Sequence, residues 1–104
     1  PPLALGQEPF WHLFCAQCDW ESIGLNRSSF FRHARKLGFS FQVHYIPLHC
    51  QPILASALRG SNLAGALTAY QRLVSLPCYP DLSLADQDRI INWLLSLSSS
   101  SPGI

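Results

Sequence analysis

His44, Tyr45, His49 and Gln51 bring imidazole, phenol and amide groups together in one short stretch of the chain, with Gln42 just ahead of them. These side chains donate and accept hydrogen bonds, so the stretch is the first candidate for contact with a polar ligand. A rival constellation draws on His12, Cys15, Cys18, His44, His49, Cys50 and Cys78, all acceptable zinc ligands, in which Cys15-x-x-Cys18 has the spacing of a metal or redox pair. The context of that pair opposes both uses. Residues three apart in a strand point to opposite faces, and no second Cys-x-x-Cys follows. The cysteines are read instead as buried thiols that behave as small hydrophobes.

The element that must position the candidate residues is an alternating one. Phe39, Phe41, Val43 and Tyr45 take turns with Ser40, Gln42 and His44, the pattern of a half-buried strand with one apolar and one polar face. Tyr45 falls on the apolar side, which gives it a core role as an alternative to ligand contact, and Gln42 belongs to the polar side. Pro47 cannot donate to a ladder and Pro52 repeats the interruption, so this central strand ends near Ile46 and runs into a loop that presents His49 and Gln51.

Around it, residues 1–9 are too rich in Pro and Gly for a regular element and read as an entry segment. Phe10 to Cys18 is almost wholly apolar and predicts a strand covered on both faces. Asn26 is a good N-cap for a helix over 27–37 with Gly38 as its left-handed stop; Arg32, His33, Arg35 and Lys36 form its solvated, dipole-complementing face. Pro52 opens a short helix ended by Gly60, and Ser61 or Asn62 caps a third that runs out near Leu73. Val74 to Leu76 is a short strand. Ser83 with Asp86 is a capping box for a last helix over 83–97, and the serine-rich tail 98–104 has nothing to bury and frays. The order of strands and helices predicts an α+β fold, with a small sheet of about three strands and helices against one face.

The totals exclude several functions. A length of 104 residues suits one domain, and 48% hydrophobic with 12% charged residues argues against disorder and for apolar surface in search of a partner. A net charge of +1 with scattered cations leaves no footprint for nucleic acid, and no apolar run is long enough to span a membrane. Without a recognisable secretion signal the expected location is cytoplasmic and the four cysteines are expected to be reduced. The lack of any methionine leads us to expect a piece of a longer chain.

The run Gln42-Val43-His44-Tyr45-Ile46-Pro47-Leu48-His49-Cys50-Gln51-Pro52 resembles a segment of the DegT/DnrJ/EryC1/StrS sugar aminotransferases, which use pyridoxal phosphate, and among them the enzymes that aminate 4-keto-6-deoxy nucleotide sugars. Trp11-His12-Leu13-Phe14, Asn26-Arg27, Leu37-Gly38-Phe39, Leu76-Pro77-Cys78-Tyr79-Pro80 and Asp86-Gln87-Asp88-Arg89-Ile90-Ile91 are similar to further pieces of the same family, in the same order, so that residues 10–97 look like its small C-terminal domain. The resemblance implies a largely antiparallel sheet with helices packed on one side.

It also implies substrate-side contacts to a sugar or nucleotide diphosphate from His44, Tyr45, His49 and Gln51, in amino-sugar synthesis for surface glycans or glycosylated metabolites. The family holds pyridoxal phosphate in its large domain, and Lys36, the one lysine here, does not match the cofactor lysine. The expectation is therefore a chain inactive by itself and without a bound cofactor, whose partner is a missing large domain. Set free of it, the chain is expected to self-associate through Trp11, Trp20, Phe31, Leu48 and Trp93. Ala64-Gly65-Ala66 departs from the family's pattern, which more often shows a proline and an acidic residue there. The alternative is a free-standing zinc-binding or protein-interaction module with an enzyme-derived fold.

Overall fold

The computed structural model describes residues 5–8, 10–59 and 61–99. Local signals set the two best-defined helices. The Asn26 side chain accepts from the Ser29 N–H at 2.9 Å and starts α1 (Arg27–Lys36). Gly38, at φ 82°, ends it: the Phe39 N–H reaches the Ala34 carbonyl and the Gly38 N–H that of Arg35, a Schellman closure that a side chain at position 38 would strain. The last helix, α4 (Leu84–Ser99), begins at Ser83, whose hydroxyl oxygen accepts from the Asp86 N–H at 3.1 Å. The Asp86 carboxylate returns to the Ser83 hydroxyl, at 2.8 Å, so the box closes between side chains.

Between them lie a 3₁₀ turn (Leu48–Cys50), the one-turn α2 (Pro52–Ala55) and α3 (Ala64–Arg72). Pro52 occupies the first turn of α2 as expected, whereas Leu63 takes the cap position of α3 without a side-chain bond. Asn62 accepts only a long 3.5 Å bond from Ala64. Gly60 lies outside the described residues.

The fold is α+β, with four α-helices and a two-stranded antiparallel sheet among the described residues. β1 (Phe14–Gln17) pairs with β2 (Leu73–Leu76) in the register Phe14 to Leu76 and Cys15 to Ser75. On the far side of β2 a single bridge joins Ser75 to Gln42. The strand expected between Phe39 and Ile46 is therefore absent as a ladder, the sheet has two strands and a bridge rather than about three strands, and β2 is the element with neighbours on both sides. The alternation of Phe39 and Phe41 with Ser40 and Gln42 does describe burial correctly, because both phenylalanines face the core. It fails beyond Val43: Tyr45, assigned to the apolar face, is 66% exposed.

The core gathers on the Val74 side of the sheet. Phe30 and Ala34 of α1, Phe39, Phe41, Val74 and Ile90 of α4 are buried together, with Trp20, Phe31 and Trp93 packed against them. Phe30 is the hub, with ring contacts to Trp20, Phe31, Phe41 and Trp93 at centroid distances between 5.0 and 5.9 Å, and the Trp20 and Phe41 rings meet it edge-on. Three of the residues expected on a self-association surface, Trp20, Phe31 and Trp93, thus serve the core, while Trp11 and Leu48 are exposed. Arg89 fastens α4 to the end of α1: it donates to the Leu37 carbonyl at 3.3 Å, pairs with Asp86 and lies over the Phe39 ring.

Other expectations need correction. The first strand covers only Phe14–Gln17, and Phe10, Trp11 and Phe14 are exposed, so among the described residues no second layer covers this stretch. Ser98 and Ser99 continue α4 instead of starting a tail, and residues 100–104 lie outside the described residues, as do residues 1–4 and 9 of the entry segment. Cys15 and Cys50 are exposed and Cys18 and Cys78 half-buried, all four as free thiols, so none is the fully buried hydrophobe the sequence pattern called for.

Candidate functional site

Ser75 is the polar residue inside the apolar run Leu73-Val74-Ser75-Leu76 of β2. Alternation sends Val74 into the core and Ser75 to the opposite face, where it is nonetheless only 4% exposed. Its backbone N–H donates to the Gln42 carbonyl at 2.7 Å and its carbonyl accepts from the Gln42 N–H at 3.2 Å. Its hydroxyl lies 2.8 Å from Nδ1 of His44 and 3.3 Å from Sγ of Cys15. An unpaired buried hydroxyl would cost about 1–3 kcal/mol. Here it is paired on two sides, and it fixes His44, two residues beyond the bridge, against the sheet.

His44 lines a cleft of ≈ 240 Å³ together with His12, Gln42, Ser75 and Tyr79. Among the described residues no Asp, Glu, Lys or Arg contributes to that lining, so a ligand would meet imidazole, amide, hydroxyl and phenol groups there. The volume is below the ~300–1,000 Å³ of a complete small-molecule site and suits one part of a larger one.

Of the four residues singled out from sequence, only His44 reaches this cleft. Tyr45 stacks edge-on against the His44 imidazole, at 4.6 Å between centroids and across a cis peptide bond, with its ring largely in solvent. His49 sits in the 3₁₀ turn and Gln51 directly before α2, where its backbone N–H closes that turn on Leu48; both are half-buried and neither is in the cleft lining. The sequence reading missed Ser75 as a site residue. The usable signal was a single hydroxyl in an otherwise apolar strand, which has to be hydrogen-bonded when buried. His12 enters the sequence reading as a possible metal ligand and as part of a family-like segment, and Tyr79 only as part of such a segment.

Among the described residues, no three of His, Cys, Asp and Glu come together as a group able to hold a metal ion, and the Cys15 sulfur is engaged with Ser75. Cys18 is tied elsewhere: its backbone meets Arg72, whose guanidinium also pairs with Asp19 at 3.7 Å. Burial pushes the Cys18 thiol up, against a smaller opposing pull from Arg72.

Pyridoxal phosphate needs a lysine, an acid at its pyridine nitrogen and donors for its phosphate. Lys36 is exposed in the last turn of α1, in a groove formed with Ser28, Phe31, Arg32 and Arg35 to which none of the described residues adds a carboxylate. The described residues do not fit the cofactor.

Comparison with known protein families gives a match over residues 3–95, which takes in both strands, the His44 segment, Ser75 and most of α4. The matched description is the DegT/DnrJ/EryC1/StrS aminotransferase family, and the chain belongs to that family.

Proposed function

We propose that the chain acts as the small domain of a pyridoxal-phosphate-dependent nucleotide-sugar aminotransferase, supplying substrate-side hydrogen bonds while a separate large domain holds the cofactor. The observation that carries this reading is the family match over residues 3–95 in a chain whose lysine groove lacks the partners the cofactor requires. The amide, hydroxyl, phenol and imidazole groups of this lining, with no Lys or Arg among the described residues, favour the hydroxyl groups of the sugar over the diphosphate as the part that approaches this cleft. Tyr45, His49 and Gln51 would act on a more distant part of the same substrate or at the boundary with the large domain.

Exposed Trp11, Phe14, Leu48 and Ile91 support a role for apolar contact with that partner, and the same surface would drive self-association of the chain on its own. A cytoplasmic location is consistent with four free thiols.

The test is to add pyridoxal phosphate to the purified chain and record the visible spectrum. No stoichiometric cofactor band is expected. A stoichiometric band that disappears in Lys36→Ala would overturn the division of labour between two domains.

A further inference from the structure

We propose that Ser75 is a positioning residue that fixes the tautomer of His44, so that the imidazole offers its Nε2–H to the cleft as a hydrogen-bond donor. The use of that donor on a sugar oxygen rests on the function proposed above; the tautomer itself does not.

A serine hydroxyl has one hydrogen to give and two lone pairs to receive. Its two side-chain neighbours are His44 Nδ1 at 2.8 Å and Cys15 Sγ at 3.3 Å, which leaves two self-consistent arrangements. In the first, the Cys15 thiol donates to Ser75 and the Ser75 hydroxyl donates to Nδ1, so the ring hydrogen sits on Nε2. In the second, Nδ1–H donates to Ser75 and the Ser75 hydroxyl donates to the Cys15 sulfur, which leaves Nε2 as a bare acceptor.

Sulfur is a weak acceptor and imidazole nitrogen a good one, so the hydroxyl's only hydrogen is better placed on Nδ1. The 2.8 Å separation of the hydroxyl oxygen from Nδ1 is at the short end for an oxygen-to-nitrogen pair, as a bond to a good acceptor requires. Burial of Ser75 limits competition from water, and the Gln42 bridge fixes the serine backbone beside the His44 segment, which keeps the hydroxyl within reach of Nδ1. The consequence is a site that presents a donor to the ligand oxygen it meets, with the tautomer set from behind by the sheet; the sense is the reverse of metal sites, where a carboxylate or carbonyl accepts from the histidine and leaves its other nitrogen bare.

Long-range proton–nitrogen correlation spectra of the imidazole, recorded on the full chain at a pH where His44 is neutral, read the tautomer directly. The wild-type chain should show Nδ1 unprotonated and Nε2 protonated, with a preference of about tenfold, the size that one net hydrogen bond supports. Ser75→Ala should move the ratio toward that of free imidazole, and Ser75→Thr should restore it by returning the hydroxyl. Cys15→Ala, at an exposed position, should leave the tautomer unchanged, because the Ser75 hydroxyl still donates to Nδ1.

A wild-type ring protonated at Nδ1, or a folded Ser75→Ala with an unaltered ratio, overturns the proposal. If Ser75→Ala does not fold, the wild-type and Cys15→Ala spectra decide it. None of these readings depends on a sugar ligand, so a chain with the expected tautomer that fails to bind a nucleoside-diphosphate sugar alongside its large domain would count against the proposed function alone.

Discussion

The ring of Phe30 lies 5.0 Å from that of Trp93, centroid to centroid, and this contact locks α1 to α4 over the Val74 face of the sheet. Phe30 is 1% exposed and touches three further aromatic rings, so its removal leaves a cavity that side chains from four separate segments would have to refill.

Phe30→Ala should therefore cost about 3–5 kcal/mol, a large share of the ~5–15 kcal/mol that holds a typical domain together. Chemical denaturation followed by tryptophan fluorescence measures it, since Trp20 and Trp93 both border the site. Phe10→Ala, at an exposed position, should change stability by no more than about 0.5 kcal/mol.

The start of α4 predicts an acid-dependent loss of stability. The Ser83 hydroxyl, and after it the Arg89 guanidinium, hold the Asp86 carboxyl below the ordinary carboxylate range. A lowered folded value means a stabilising contribution that is present above the unfolded value near ~3.9 and fades as the pH falls through the folded one. Asp86→Asn should lower the melting temperature at neutral pH, and the gap to the wild type should close in the acid range below about pH 4. Ser83→Ala should cost about 1 kcal/mol at neutral pH through the lost cap. A gap that widens on acidification would contradict the sign.

Thiol reactivity gives an independent check on the placement of Cys18. Burial raises its thiol and so depletes the thiolate that attacks alkylating agents, while Cys50 stands exposed. With iodoacetamide at pH 8, mass-spectrometric mapping should find Cys50 modified well before Cys18, and the difference should vanish in denaturant. Equal rates in the folded chain would mean that the segment around Cys18 and Arg72 opens freely.

For association, sedimentation over a concentration range up to ~100 μM should show a concentration-dependent increase in mass. Trp11→Ser and Leu48→Ser, both at exposed positions, should weaken it without loss of fold. A strict monomer at that concentration would remove the apolar surface as an argument for a partner.

What the sequence made legible was local. Asn26, Gly38, Ser83 and Asp86 act on groups a few residues away, and the helices they bound lie where the spacing predicts. The sheet was harder because pairing is a long-range choice that no short window contains. Phe39 and Phe41 alternate because both enter the aromatic core, and a packing pattern of that kind looks the same as a ladder until the hydrogen bonds are traced. The site was half legible for the same reason. His44 announced itself by type, whereas Ser75, which decides how His44 is held, looks ordinary until β2 is seen to pass behind it.

The β1–β2 pairing has a consequence for the order of events in the cell. Cys15 and Ser75 are 60 residues apart, so at ~5–20 residues per second the first strand leaves the ribosome roughly 3–12 s before its partner does. During that interval α1 can coil on its own signals, but the apolar run ahead of it, with Phe10, Trp11 and Phe14, has no strand to join. For those seconds the nascent chain offers a ready target to chaperones, and the sheet closes only after nearly the whole domain has been synthesised.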